Sequence, residues 1–284
     1  MSNLQFHIET APGYGASQGI MPRFYLQMTE LCSFLNVPPY VTEIPSKIQK
    51  LIIPELANLY DVHNNLQSAI EEFIKGVQDG SFYKISEDGS TTLISHKEFE
   101  IENLTKDFFI RGKILLVKFF NSAIIADDNF KIKDYFFCDD EKFIKKVANY
   151  STGKLPKFLP LLNVLKTAKL DFLTDFNSIR GTIEHEHFEL DRFKVIHEEG
   201  RIVLVEPVLQ NDILSNKIKF YYESILKLIE KITAYFAGII CEELNFAYKL
   251  YVATEPDFPK LMYRYRYRIM EMPFVFETIR CDYK

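Results

Sequence analysis

Four long stretches of this chain place apolar residues at intervals of three and four, which is the spacing that puts them on one side of an α-helix. These stretches cover residues 45–77, 97–125, 159–187 and 212–245. Helices of this kind bury their apolar sides by packing against one another. The pattern therefore predicts a mainly α protein built as an up-and-down helical bundle.

Two short segments interrupt the helical pattern with β-prone residues on either side of a turn dipeptide. The segment 81–95 turns at Asp88-Gly89, and the segment 193–206 turns at Glu199-Gly200. Both segments are predicted to form small β-hairpins.

Local signals refine the ends of the helices. Pro54 is expected to divide or kink the first long stretch, and Asn211 or Asp212 is expected to cap the last one. Two shorter helices are predicted at 24–36 and 139–149.

These elements suggest three segments along the chain. Residues 1–97 are expected to form an N-terminal helical extension with the first hairpin. Residues 98–250 are expected to form the helical bundle, and residues 251–284 a C-terminal tail with a possible strand.

Composition and charge limit the classes of function. The 34 basic and 39 acidic residues give a formal net charge of −5, so a nucleic-acid site has to be a local patch. The four cysteines contain no CxxC pair and are expected to be reduced thiols of a cytoplasmic protein. No signal peptide and no apolar run of ~18 residues is visible, so no membrane partner is expected.

The segment 175–187 carries the residues best suited to chemistry. Arg180 is followed, after four intervening residues, by His185 near the end of a long predicted helix, and Asn177 lies just upstream. Histidine moves protons near neutral pH, and arginine binds phosphate oxygens while staying charged. Together the two groups could bind a phosphate and transfer a proton beside it.

This Arg-x4-His spacing on a long amphipathic helix, with a further long helix after it, resembles the HEPN superfamily of helical-bundle proteins. The resemblance covers roughly residues 98–245 and implies a metal-independent RNA endonuclease of a toxin or phage-defence system, with no cofactor. It implies a homodimer that brings two motifs together, with RNA and a cognate antitoxin or partner protein as further partners. Arg180 would then bind the scissile phosphate and His185 would move the proton, with Asn177, Glu184 and His187 in support.

The helical spacing adds a geometric condition to this site. Five positions on a straight helix separate Arg180 and His185 by ~140°. A common site would then require a kink near Gly181 or a partner chain across the face of His185. His187, seven positions after Arg180, shares the face of the arginine and competes for the role of the histidine.

Two other interpretations stay open. A catalytically inactive HEPN-like scaffold would bind a protein or nucleic-acid partner, which Gly181 after the arginine and the acidic net charge favour. In the second, the motif is accidental: Arg180 pairs with Glu184 across one helical turn, and His185 and His187 are solvated at the helix end. A metal site is not expected, because alternating residues of a helix face opposite sides.

A second candidate site lies in the C-terminal tail. Residues 263–268 alternate tyrosine and arginine, which predicts a strand with Arg264, Arg266 and Arg268 on one face. Arginines bind phosphates and tyrosines stack on bases, so an RNA-binding edge is one interpretation. The other is an amphipathic strand with packed tyrosines and solvated arginines.

Overall fold

The computed structural model describes residues 46–87, 91–93, 96–120, 159–186, 188–198, 201–243, 248–252 and 265–269. Its α-helices are α1 (Ile53–Gln78), α2 (Lys97–Lys118), α3 (Leu159–Ala168), α4 (Thr174–His185) and α5 (Leu214–Glu243). The predicted mainly α class is confirmed. No helix within these ranges is long and apolar enough to cross a membrane.

Short antiparallel strand pairs accompany the helices. The two predicted hairpins are confirmed as β1 (Tyr83–Ile85) with β2 (Thr91–Leu93), and β3 (Lys194–Glu198) with β4 (Arg201–Val205). Two further pairs are β5 (Val208–Leu209) with β6 (Asp212–Ile213), and β7 (Tyr248–Val252) with β8 (Tyr265–Ile269). The expected turns at 88–89 and 199–200 and the expected helices at 24–36 and 139–149 lie outside the described residues.

The described residues divide into two compact units. Those within 58–117 and 165–228 form one unit, which we call the bundle unit, and the remaining ones belong to the other. Most of α1 therefore groups with α2, α4 and α5. The bundle unit contains the candidate site.

Helix α1 runs antiparallel to α2 within the bundle unit. The Nζ atom of Lys97 lies 2.8 Å from a carboxylate oxygen of Glu72, and the rings of His63 and Phe108 are 6.5 Å apart. Residues early in one helix thus meet residues late in the other. Helix α1 also runs antiparallel to α5. Gln67 contacts Ser215 in the first turn of α5, and His63, earlier in α1, contacts Tyr222, which is later in α5.

Three aromatic rings from three helices form the centre of the bundle unit. Phe109 of α2 and Phe176 of α4 have ring centroids 5.0 Å apart, and each lies 5.6 Å from the ring of Tyr221 of α5. All three side chains are fully buried. Burial raises the pKa of Tyr221 well above its ordinary value, so its phenol stays neutral in the core.

A glycine lets these helices approach closely. A Cβ atom on Gly112 of α2 would lie 2.7 Å from the Cζ atom of Phe176 and 3.1 Å from the Cδ1 atom of Ile225. Real Cβ contacts do not reach the shorter of these distances. The spacing of α2 from α4 therefore depends on the absence of a side chain at residue 112.

A π-helical turn widens two of the described helical stretches. The turn Ile48–Ile52 ends just before α1, whose second residue is Pro54, and the helical backbone continues from one into the other. The turn Lys169–Leu173 joins α3 to α4 and was not predicted. There, both the backbone N–H and the hydroxyl of Thr174 donate to the carbonyl oxygen of Lys169.

The start of α5 differs from the expected cap. Gln210 and Asn211 have positive φ angles of 51° and 68° and form the tight turn between β5 and β6, so neither Asn211 nor Asp212 caps the helix. The carboxylate of Glu206 accepts the backbone N–H of Ser215 at 2.9 Å and its hydroxyl at 3.0 Å. A carboxylate from a preceding segment therefore caps the first turn, where negative charge is favourable.

His63 is partly buried in the bundle unit. The ring of His63 stacks on Tyr222 at 4.2 Å, and its buried Nε2 atom forms no hydrogen bond with the described part of the chain. Burial lowers the pKa of His63, and the charge of Lys219 adds to this effect. The hydrogen bond to Asn64 and the charge of Glu223 oppose it without reversing it.

We expect this histidine to make stability depend on pH. The unfolded chain binds a proton at His63 near its ordinary pKa, whereas the folded chain binds it only at lower pH. The free energy of unfolding should therefore fall as pH drops from 7 towards 5, by up to about 1.4 kcal/mol per pH unit. His63→Gln should flatten this slope in urea titrations. His96→Gln, which removes an exposed imidazole, is the control, and equal changes in both variants would contradict the assignment.

Two helical glycines of the bundle unit, Gly112 and Gly181, should respond oppositely to alanine. Gly112→Ala should destabilise the protein by about 1–3 kcal/mol, because its methyl group would overlap Phe176. A Cβ atom on Gly181 of α4 meets nothing within 4 Å, so Gly181→Ala should stabilise by about 0.5–1 kcal/mol. Thermal melting measures both, and a stable Gly112→Ala protein would refute the close approach of α2 and α4.

Candidate functional site

The last turn of α4 carries the candidate site. Helix α4 continues from Thr174 through Gly181 to His185, and the backbone becomes extended at Glu186. The helix is not interrupted at Gly181, where a kink was one of the two ways to form a common site. Arg180 and His185 therefore occupy their ordinary helical positions, with Glu184 between them.

The carboxylate of Glu184 joins the two residues. Its Oε2 atom lies 3.2 Å from an Nη1 atom of Arg180 and 3.8 Å from the Nε2 atom of His185. Both nitrogens approach the same oxygen atom. The distance between Nη1 of Arg180 and Nε2 of His185 therefore cannot exceed the sum of these two distances. Long side chains that converge on one carboxylate thus bridge the ~140° between the two helical positions.

A lysine from another helix completes this cluster. The Nζ atom of Lys113, in α2, donates to both carboxylate oxygens of Glu184, at 2.8 and 2.9 Å. Sequence reasoning missed Lys113, which lies 71 positions away, since only the packing of α2 against α4 brings the two together. We call Lys113, Arg180, Glu184 and His185 the cation cluster.

Exposure differs greatly within the cation cluster. The side chain of Arg180 is only 9% exposed, whereas those of Lys113 and Glu184 are 23% and 26% exposed. The side chain of His185 is 72% exposed. The cluster thus extends from a buried guanidinium to a solvent-facing imidazole, with the carboxylate in the middle.

The surrounding cations keep Glu184 ionised. Burial by itself would raise the pKa of this carboxyl group. The hydrogen bond from Lys113 and the charges of Arg180, Lys113 and His185 outweigh burial, so the pKa lies below its ordinary value. At neutral pH the cluster therefore contains a carboxylate that neutralises part of the positive charge.

The structure describes only some of the other predicted site residues. Asn177 lies three residues before Arg180 on α4 and is partly exposed. His187 and Arg264 lie outside the described residues. Arg266 and Arg268 are in strand β8, as the alternating pattern predicted, and are paired in register with Tyr251 and Lys249 of β7.

The cation cluster also contains the contact expected if the motif is accidental. Arg180 and Glu184 form an ion pair across one helical turn, and His185 is exposed at the last residue of α4. These contacts satisfy a structural role without any ligand. The same contacts bring two cations and an imidazole together around one carboxylate, so the geometry is compatible with both roles.

A separate cleft of about 420 Å³ lies in the bundle unit, between the first turns of α2 and the segment 189–193. Its lining includes four acidic residues and one arginine: Glu98, Glu102, Glu189, Asp191 and Arg192. Phe193 also lines it, and its backbone N–H donates to the carboxylate of Glu98 at 3.1 Å. Phe99 also lines the cleft, and its side chain is 72% exposed.

Comparisons with known proteins identified no relative of this chain. No family model, no curated protein sequence and no solved structure matches the chain. The resemblance to the HEPN superfamily therefore depends on the Arg180-to-His185 spacing and its helical setting alone and remains a hypothesis.

Proposed function

We propose that this chain is a HEPN-like, metal-independent RNA endonuclease of a toxin or phage-defence system. The observation that supports the proposal best is the convergence of Arg180 and His185 on one oxygen of Glu184. An arginine and an exposed histidine that meet around an anion form the arrangement needed to hold a phosphate and transfer a proton beside it.

The chemistry would follow the attack of a ribose 2′-hydroxyl on the adjacent phosphorus. The attacking oxygen loses its proton to a base, and the bond from phosphorus to the 5′-oxygen of the next nucleotide breaks. A proton from an acid neutralises that leaving oxygen, and the products are a 2′,3′-cyclic phosphate and a free 5′-hydroxyl. Arg180 would stabilise the charge on the non-bridging oxygens, and His185 would act as base or acid.

This reaction requires two proton-transfer groups, and the cation cluster contains a single imidazole. A second copy of the chain would supply another His185 across a shared phosphate, which is the reason for proposing a homodimer. The 72% exposure of His185 leaves it accessible to a partner protomer. A cognate antitoxin or partner protein would control the nuclease by covering the same end of α4.

The decisive variant for this proposal is His185→Ala. Wild-type protein should cleave RNA in EDTA and leave 2′,3′-cyclic phosphate ends, whereas His185→Ala should reduce the cleavage rate by about 10²-fold or more. Because the side chain is exposed, the melting temperature should stay unchanged. His96→Ala, which removes another exposed histidine of the bundle unit, is the control.

Other outcomes of this assay would contradict the proposal. Equal cleavage by wild type and His185→Ala would show that His185 is not the proton-transfer group. An absence of cleavage by a well-folded dimer would leave only a binding function. Arg180→Lys is preferable to Arg180→Ala as the second variant, because it retains a positive charge beside Glu184 at a site that is only 9% exposed.

The second candidate function is that of a catalytically inactive scaffold, and the acidic cleft favours it. The exposed Phe99 beside several carboxylates suits a partner segment that carries arginine or lysine, because cations bind carboxylates and also stack on aromatic rings. An exposed aromatic residue at the rim of a cleft is also a common anchor in protein interfaces.

The scaffold function predicts that two lining residues contribute to peptide binding. Phe99→Ser and Asp191→Asn should each weaken binding of a fluorescent arginine-rich peptide by about fivefold, which is the usual effect of losing one anchor. Leu170→Ser and Asp171→Asn, two exposed residues of the π-helical turn before α4, are the matched controls. Equal affinities for all four variants, measured by fluorescence anisotropy, would exclude the cleft as a partner site.

A further inference from the structure

The guanidinium of Arg180 is paired with the carboxylate of Glu184. The arginine side chain is only 9% exposed, and its Nη1 atom is 3.2 Å from the Oε2 atom of Glu184. A phosphate oxygen bound by this guanidinium would need a similar, charge-assisted distance to the same nitrogens. The carboxylate of Glu184 therefore stands where such an oxygen would bind.

Lys113 also binds this carboxylate. Its Nζ atom contacts both oxygens of Glu184, so the carboxylate has one cation from α2 and one from α4. Arginine and lysine both bind carboxylates and phosphates, because each of these anions presents negatively charged oxygen atoms to the donors. A group of donors arranged around two carboxylate oxygens is also suited to two non-bridging oxygens of a phosphodiester.

From this geometry we infer that Glu184 is an internal competitor of the substrate and that Lys113 is a second phosphate-binding residue of the same site. In the substrate-free protein Glu184 occupies the phosphate position. When RNA binds, the carboxylate turns outward into solvent, and Lys113 and Arg180 pass together from Glu184 to the phosphate. This inference rests on the proposed function, since it assigns the regulation and one more binding residue of that site.

The position of Glu184 at the end of α4 makes this exchange feasible. The residue is next to the last residue of the helix, and its side chain is 26% exposed, so a rotation places the carboxylate in water without moving the helix. Arg180 and Lys113 come from two helices held by the buried contact of Phe109 with Phe176. The cations thus stay fixed while the anion between them changes.

The first test measures binding without cleavage. The probe is a fluorescent single-stranded 2′-O-methyl oligonucleotide of mixed sequence, which lacks the attacking hydroxyl, and the protein is the full chain. Glu184→Gln should bind this probe about fivefold more tightly than wild type, which corresponds to the loss of one competing ion pair. Glu186→Gln removes the same charge two residues later at an exposed position and is the matched control.

The second test distinguishes the loss of a phosphate contact at Lys113 from a general loss of positive charge. Lys113→Met should weaken binding of the same probe and lower the slope of log affinity against log salt concentration by about 0.7, the value for one phosphate contact on a single strand. Lys106→Met removes a lysine from the same helix that pairs with Glu102 instead, and its salt slope should stay that of wild type. A purely structural role of Lys113 would leave the slope unchanged.

A third test uses the wild-type protein, so its result does not depend on whether a variant folds. The carboxyl carbon of Glu184 can be followed by NMR as pH is changed, with and without saturating oligonucleotide. Loss of its two cations to the phosphate should raise the pKa of Glu184 in the complex. An unchanged pKa in the complex, or equal affinities of Glu184→Gln and Glu186→Gln, would overturn the inference.

These results are distinguishable from those that test the nuclease itself. If the binding changes occur as expected but no RNA is cleaved, the cation cluster is a phosphate-binding site without nuclease activity. If cleavage depends on His185 but Glu184→Gln binds no better than Glu186→Gln, the nuclease stands and the competition by Glu184 is wrong.

Discussion

The contact of Phe109, Phe176 and Tyr221 fixes the bundle unit, because it joins α2, α4 and α5 at a single buried point. Gly112 allows these helices to approach closely, since any side chain there would overlap Phe176. Phe176 is one helical turn before Arg180, so its burial also decides which way the arginine faces. The arginine consequently points towards α2, where Lys113 lies near the same carboxylate.

Glu184 compensates the positive charge that this packing buries at Arg180. A guanidinium that is only 9% exposed is costly without an anion, and the carboxylate one turn later supplies it. The same carboxylate also pairs with Lys113. A phosphate that bound Arg180 and Lys113 in the proposed way would have to replace this carboxylate.

Prediction from sequence succeeded where a signal lies within a few residues. The spacing of apolar residues gave the helices around residues 53–78, 97–118, 159–185 and 214–243, and the β-prone runs gave both hairpins. It failed at the start of α5, because Glu206 caps Ser215 across the β5–β6 turn. It also failed at the π-helical turn before α4, which the regular apolar spacing does not reveal. Both features depend on backbone geometry that residue periodicity does not encode.

For the candidate site, the sequence alone determined the identity and spacing of Arg180, Glu184 and His185, because all three lie within two turns of one helix. It also determined that Arg180 and Glu184 could pair across one turn. Only the tertiary structure decided that Arg180 is buried and that Lys113 joins Glu184 from a different helix. The reason is physical: a contact between residues 71 positions apart depends on how α2 packs against α4, and that depends on the large aromatic side chains and Gly112 between them.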